Sequence, residues 1–328
     1  MSLHLDISTT KEEVIEEEEE EIIIDPTQIK QFEIDGYTIF NNNTILTPTI
    51  ISKLVIRLNE YILKGEYDTG SPPTKCPSKK NLQHKSSVKQ IVNIHKCDSL
   101  YKDILLHNSY FGYIVTKCMK WDNEKYGHGA RLVQDQVWIK PPGAPPLAYH
   151  RDSPYFYMFN FNNPPNNNTN VATLWIALDD MYNDDIGPIR YVKGSHKWDN
   201  ATTTTTGLNK QFFDNRGGVD LLKSVACQQS NITSLEDIEI ITMNKLKAGD
   251  FTLHDGLTFH GSSNNKTKDN TRIGIGLHFI PNSVTSFTND AMNSKLWKDM
   301  YMSMQEVNDD DDKIRLFNNY FPITYKSR

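Results

Sequence analysis

No pair of cysteines in this sequence has the C-x-x-C spacing of a zinc ribbon or a redox motif. Cys76, Cys97, Cys118 and Cys227 are scattered, which points to reduced, mostly buried thiols and away from a disulfide framework. A surplus of positive charge is also missing. The 35 lysines and arginines are outnumbered by 41 acidic residues, a formal charge of -6. That balance excludes the concentrated basic face a nucleic-acid binder needs. Long apolar runs are absent too: no stretch approaches the length of a membrane span, and "MSLHLDISTTKEE" has no apolar signal-like core. The tail, Lys326-Ser327-Arg328, does not match the peroxisomal S-K-L type. The expectation is a cytoplasmic protein with no membrane contact.

What the chain does have is an ordinary globular balance, 38% hydrophobic and 23% charged over 328 residues, enough to bury a large core. Like charges crowd "KEEVIEEEEEE", so residues 1–25 are expected to form a disordered acidic arm. Residues 26–328 are expected to form one domain. It has a helical flank over about 26–128, a barrel over about 129–285 and an extension over about 286–328. "NFNNPPNNNTN", "ATTTTTG" and "NDDDDK" are low-complexity inserts that suit surface loops. The basic stretch Lys75 to Lys96, with Lys79, Lys80, Lys85 and Lys89, is expected to be a solvated connector.

"LTPTIISKLVIRLNEYILKG" predicts a helix. Thr47-Pro48 starts it, Ile51, Leu54, Leu58 and Ile62 make one face, and Gly65 stops it. "SLYKDILLHNSYFGYIVTKCMKW" predicts a second helical region. The pattern then changes to period two in "RLVQDQVWIK", "VATLWIALDDM", "PIRYVKGSH", "DFTLHDGLTFHGS" and "TRIGIGLHFIP". Helices followed by strands without a βαβ alternation predict a mainly β protein with flanking helices, an antiparallel barrel or jelly roll.

"AYHRDSPYF" carries the first candidate for chemistry. If it is a strand, His150 and Asp152 project to the same face, and a third donor nearby would complete a metal site. "HDGLTFHGSSNN" offers His254 and His260. His260 is preferred because Arg272 opens a new strand twelve residues later, with the Asp255-Gly256 turn expected to separate it from His254. Two histidines and a carboxylate on one face of iron leave open positions, as in non-haem Fe(II) oxygenases. The guanidinium of Arg272 can grip a carboxylate in a bidentate fork. On its strand the even positions Arg272, Gly274, Gly276 and His278 share a face with room for a small ligand. The odd positions Ile273, Ile275, Leu277 and Phe279 face core. Lys140 could reach a carboxylate at the cavity mouth, and Gln136 could line the cavity. Arg151 should point away, and His196 should satisfy backbone groups.

The ordered set "YHRDSPYF", "GPIRYVKGSHKW", "HGSSNN" and the arginine of "TRIGIGLHF" resembles the phytanoyl-CoA dioxygenase-like Fe(II)/2-oxoglutarate oxygenases, from about Gln31 to Phe321. The resemblance implies a double-stranded β-helix (jelly roll, cupin-like). It implies that His150, Asp152 and His260 ligate Fe(II), and that Arg272, assisted by Ser262, pairs with the far carboxylate of 2-oxoglutarate. Trp175 would line the co-substrate pocket. Because Asp152 is present, hydroxylation is expected over the halogenation of relatives that lack the carboxylate. The implied reaction consumes O2 and 2-oxoglutarate, releases succinate and CO2, and hydroxylates a C–H bond of a small organic or carrier-linked, acyl-CoA-like substrate, with ascorbate supportive. Tyr155, Phe156, Tyr157 and Phe159 would make the mouth apolar. A silent metal- or acid-binding protein on the same barrel, and a hydroxylase of protein side chains, are the alternatives. No sequence feature calls for an obligate protein partner.

Overall fold

The computed structural model describes residues 24–41, 44–106, 109–159, 161, 170–198, 219–227, 232, 235–288 and 321–327. The acidic run, two of the three inserts and nearly all of the third, and most of the expected C-terminal extension lie outside them. Helices come first in the described chain. In α1 (Pro26–Asp35) the Asp25 side chain accepts from Thr27 N, and Gln28 completes a capping box. The helix ends at Gly36, φ 80°, where a Cβ would stand 2.4 Å from His196 Nδ1. α2 (Pro48–Glu60) starts on Thr47, whose hydroxyl accepts from Ile50 N, and buries Ile51, Leu54 and Leu58 as expected. A single 3-10 turn buries Ile62 before Gly65 ends the segment at φ 87°. α3 (Lys79–Gln83) buries nothing. The second helical region divides into α4 (Ser99–Leu106) and α5 (Tyr110–Met119), and α6 (Val219–Ala226) comes later.

The strands are β1 (Tyr37–Phe40), β2 (Lys89–Val92), β3 (Gly129–Lys140), β4 (Leu147–His150), β5 (Ala172–Ala177), β6 (Ile189–Val192), β7 (Ile240–Thr242), β8 (Phe251–Asp255), β9 (His260–Ser262), β10 (Arg272–Pro281) and β11 (Ile323–Lys326). Among the described residues they form two antiparallel sheets. The larger runs β1-β8-β5-β10-β3-β11 with β2 also on β3, and the smaller runs β4-β9-β6-β7. This is the double-stranded β-helix. The stretch expected to be a helical flank also supplies β1 and β2, which extend the larger sheet.

Packing follows the alternation of β10. Ile273, Ile275, Leu277 and Phe279 join Leu54, Tyr101, Phe111, Val137, Leu174 and Leu253 in one buried cluster between the larger sheet and the helices. Asp135 lies on the helix side of β3, where it pairs with His95 Nδ1 and accepts from Ile94 N at 2.7 Å. All four cysteines are free; Cys97 and Cys118 are buried, whereas Cys227 is exposed, contrary to the expectation of mostly buried thiols for that one. Lys89, expected in solvent, is buried, with its ammonium on the carbonyls of His84 and Ser87. None of the helices of the described residues is long and apolar enough to cross a membrane.

Candidate metal centre

Asp152 sits between two facing rows of side chains, one from each sheet. In the smaller sheet His150 and His260 are direct cross-strand partners, and Tyr191 is the partner of His260 on the other side. In the larger sheet His278 pairs with Thr173, and Thr173 pairs with His254. Asp152 Oδ1 faces the smaller sheet, 3.6 Å from His150 Nε2 and 3.5 Å from His260 Nε2. Asp152 Oδ2 faces the larger sheet. It accepts from Thr173 Oγ1 at 2.6 Å and from His254 Nε2 at 3.1 Å, with His278 Nδ1 at 3.7 Å.

His150 is the last residue of β4, and Asp152 (φ -80°, ψ -40°) is already in a helical turn. The pair is therefore set by a strand end and a turn, a correction to the simple strand alternation. Arg151 does turn away: Nη2 donates to Ser195 O at 3.0 Å, and the guanidinium lies 4.4 Å above the Phe259 ring. β8 and β9 belong to different sheets, so the chain crosses over at Asp255–Phe259 and sends His254 and His260 to opposite walls. His196 caps backbone as expected, its Nε2 3.2 Å from Glu33 O.

Donor chemistry at Oδ1 fits a cation. His150 Nδ1 reaches Ala148 O at 2.7 Å and His260 Nδ1 reaches Thr258 O at 3.1 Å. A carbonyl accepts only, so both Nδ1 atoms carry the proton in the neutral ring and both Nε2 atoms present lone pairs. Two lone pairs facing a carboxylate oxygen repel unless positive charge lies between them. Burial, and for His150 the neighbouring His260, lowers both imidazoles to about 4, so they are neutral donors at ordinary pH. Burial alone would raise the Asp152 carboxyl, but His260, His254 and His278 hold it well below the usual range. His150, Asp152 and His260 offer one ligand atom each within 4.8 Å of one another, a set that could hold a metal ion.

His254 is placed otherwise. Its Nε2–H is committed to Asp152 Oδ2, and its Nδ1 lies 3.2 Å from the hydroxyl of Tyr191. It orients the carboxylate from behind. Thr173 and Tyr191 were not singled out from the sequence, and His278 was placed only on the ligand face of its strand; which residues they meet depends on which strands pair, which no local pattern declares.

The centre opens into a cavity of about 310 Å³ lined by the four histidines, Asp152 and Thr173, and by Gln134, Gln136, Trp138, Tyr155, Phe156, Met158 and Trp175. Tyr157 is exposed and Phe159 is buried against Phe287 and Phe321; neither is among the residues lining the cavity, contrary to expectation. Gln136 does line the cavity and accepts from Gln90 Nε2 at 2.9 Å.

At one end of the cavity Arg272 and Lys140 are cross-strand partners, both buried. Lys140 is not at the mouth as expected: its Nζ donates to Ser262 Oγ at 2.8 Å and also to Ser263 O. Burial, with Arg272 and Arg190 nearby, drops its ammonium to about 6. The Trp175 ring stands 5.4 Å from the Arg272 guanidinium, and Arg272 Nη1 donates to Gly187 O at 3.3 Å. Among the described residues neither cation forms an ion pair with a carboxylate. A buried guanidinium and an amine able to take up a proton, beside a hydroxyl, are suited to an incoming acid. Gly274 does not leave ligand space, contrary to expectation: a Cβ there would lie 2.2 Å from Trp175 Cζ2, so the gap belongs to the indole. Gly276 does line the cavity.

The chain is 27% identical over 179 residues to dioxygenase ALT11 of Alternaria alternata, covering 52% of this chain and 53% of that protein. It is 22% identical to dioxygenase trt7 of Aspergillus terreus over 81% of this chain and 77% of that protein. The match to the iron/alpha-ketoglutarate-dependent dioxygenase ausU of Aspergillus calidoustus is 24% identical and covers 55% of this chain and 60% of that protein. The chain thus spans about half the length of the first of these curated relatives. Its fold is shared with the non-heme alpha ketoglutarate dependent epimerase SnoN from nogalamycin biosynthesis, at TM-score 0.62 and 16% identity over 92% of this chain and 98% of that one. The carbocyclase SnoK of the same biosynthesis gives TM-score 0.56 at 16% identity over 92% and 96%. The family model for phytanoyl-CoA dioxygenase matches residues 69–274, more than half of the sequence. The chain belongs to the phytanoyl-CoA dioxygenase family.

Proposed function

We propose that this protein is an Fe(II)/2-oxoglutarate-dependent dioxygenase that hydroxylates a C–H bond of a small organic or carrier-linked molecule. The observation that carries the reading is the division of Asp152: one oxygen faces two imidazole lone pairs, while the other is held by Thr173 and His254. His150, Asp152 and His260 would hold the iron on one side and leave the other open to the cavity. The chemistry that an iron held there would supply is activation of O2 coupled to decarboxylation of 2-oxoglutarate to succinate and CO2. Arg272, Lys140 and Ser262 would receive the far carboxylate of the co-substrate, with Trp175 over the guanidinium to exclude water. His254 and Thr173 hold the carboxylate of Asp152 in one orientation throughout. Tyr155, Phe156 and Met158 present an apolar wall to the substrate.

Succinate release in the presence of Fe(II), ascorbate and 2-oxoglutarate, without a primary substrate, tests the reading. Slow turnover in the wild type that disappears in His260→Ala is the expected result. No succinate from an iron-loaded wild type would make this a binding protein instead. Metabolite profiles of cells with and without the gene, searched for a mass difference of one oxygen atom, would then locate the substrate.

A further inference from the structure

His278 belongs to the two facing rows but has no part in the reaction proposed above. It is buried, 6% exposed, and lines the cavity. Its Nδ1 lies 2.9 Å from Thr173 Oγ1. Hydrogen-bond directions fix its tautomer. Thr173 has a single hydroxyl proton, and it goes to Asp152 Oδ2, because a carboxylate can only accept. Thr173 Oγ1 must therefore accept from His278, so the proton of the neutral imidazole resides on Nδ1. Nε2 is left with a bare lone pair.

No polar group of the described residues pairs with that Nε2 atom. The His278 residue lines the cavity, and Nε2 lies 3.7 Å from where a Cβ on Gly276, another lining residue, would be. The Phe156 ring is beside it, with centroids 5.1 Å apart. A buried acceptor without a protein partner costs free energy unless a ligand supplies a donor. Asp152 Oδ2, the oxygen on this side, already accepts from Thr173 and His254.

We propose that His278 Nε2 is a substrate-recognition group, and that the substrate is a molecule bearing a neutral hydrogen-bond donor, an O–H or N–H, against an otherwise apolar wall. The inference deepens the reading above and rests on it through the ionised Asp152. A substrate lacking the donor would leave the lone pair unpaired, and a site of this kind rejects such analogues strongly. His278 thereby reads the substrate, while Thr173 transmits the state of Asp152 to the ring as a fixed tautomer.

Two measurements test this on the full chain. Nitrogen-15 NMR of the imidazole rings in the metal-free protein reports the tautomer directly. Nδ1–H on His278 is expected; Nε2–H would overturn the proposal whatever the protein's activity. Binding is then measured with the matched probes cyclohexanol and methylcyclohexane, and δ-valerolactam and its N-methyl derivative, on Zn(II)- and 2-oxoglutarate-loaded protein. The donor-bearing member of at least one pair should bind about tenfold tighter to wild type, and the preference should vanish in His278→Phe. No preference in wild type for either pair, or the same preference in the variant, would overturn it. If metal and 2-oxoglutarate themselves fail to bind, the proposed activity falls, while the tautomer measurement still decides the role of His278. Should His278→Phe not fold, the wild-type tautomer and probe preferences remain decisive.

Discussion

Thr173 Oγ1 donates a 2.6 Å hydrogen bond to Asp152 Oδ2, the oxygen turned away from His150 and His260. A ligating carboxylate held in this way does not rotate out of position, and partners of this kind usually contribute tenfold or more to metal affinity. Thr173→Val should weaken Fe(II) or Mn(II) binding by about tenfold, with the circular-dichroism spectrum unchanged. Thr173→Ser should restore it. Calorimetric titration separates the three proteins, and equal affinity in the valine variant would remove Thr173 from the site.

Replacing His150, Asp152 or His260 by alanine should abolish stoichiometric Fe(II) binding while the fold persists. His254→Ala should behave differently, retaining one equivalent at reduced affinity, because His254 Nε2 bonds the carboxylate rather than facing its Oδ1. Iron titration against a circular-dichroism control distinguishes the cases. Full occupancy in His260→Ala would exchange the roles of the two histidines.

Arg272→Ala should weaken 2-oxoglutarate binding by thirtyfold or more, since truncating one partner of a buried charge pair costs about 2–5 kcal/mol. Metal affinity should barely change. Arg272→Lys should recover part of the loss, because an ammonium keeps the charge without the planar fork. Titration of 2-oxoglutarate into manganese-loaded protein is the measurement.

Lys140 makes the same binding step depend on pH. Its amine is held at about 6 in the free protein, so it is mostly neutral above pH 7. An arriving carboxylate favours the charged form and raises that value in the complex. Binding should therefore take up a proton at pH 7–8, and affinity should fall as pH rises through that window and level off below pH 6. Calorimetry in buffers of different ionisation enthalpy detects the uptake, and Lys140→Met should remove both the uptake and the slope.

Gly274→Ala would push a methyl to 2.2 Å from Trp175 Cζ2, and the indole packed in that gap would have to move off Arg272. Overpacking of this kind costs about 1–3 kcal/mol. Urea unfolding should show that loss, and 2-oxoglutarate affinity should fall with it while metal affinity holds.

Local chemistry made part of this architecture legible in advance. Thr47 and Gly65 bracket a helical segment, and the odd and even faces of β10 separate core from cavity, because caps and alternation act over a few residues. His150, Asp152 and His260 were found by spacing. Alternation put His278 on the cavity face, but its pairing with Thr173, and the places of Thr173 and Tyr191, depend on partner strands far away in sequence. Spacing also misjudged Lys140 and Gly274: a strand end looks exposed, and a glycine looks empty, until the neighbouring strand with Trp175 is known.

β10 carries Arg272 at one end and His278 six residues later on the same face, paired without a break to β3 between them and to β5 from Gly274 on. At about 3.4 Å per residue the strand is a ruler roughly 20 Å long, with the acid-binding end at one mark and the donor-reading end at the other. Only past His278 does its register with β3 slip. Residues along this ruler are free to change in kind, but not in number: one inserted or deleted residue would turn one of the two marks into the hydrophobic core. Descendants of this gene should therefore diverge in β10 by substitution, and keep its length.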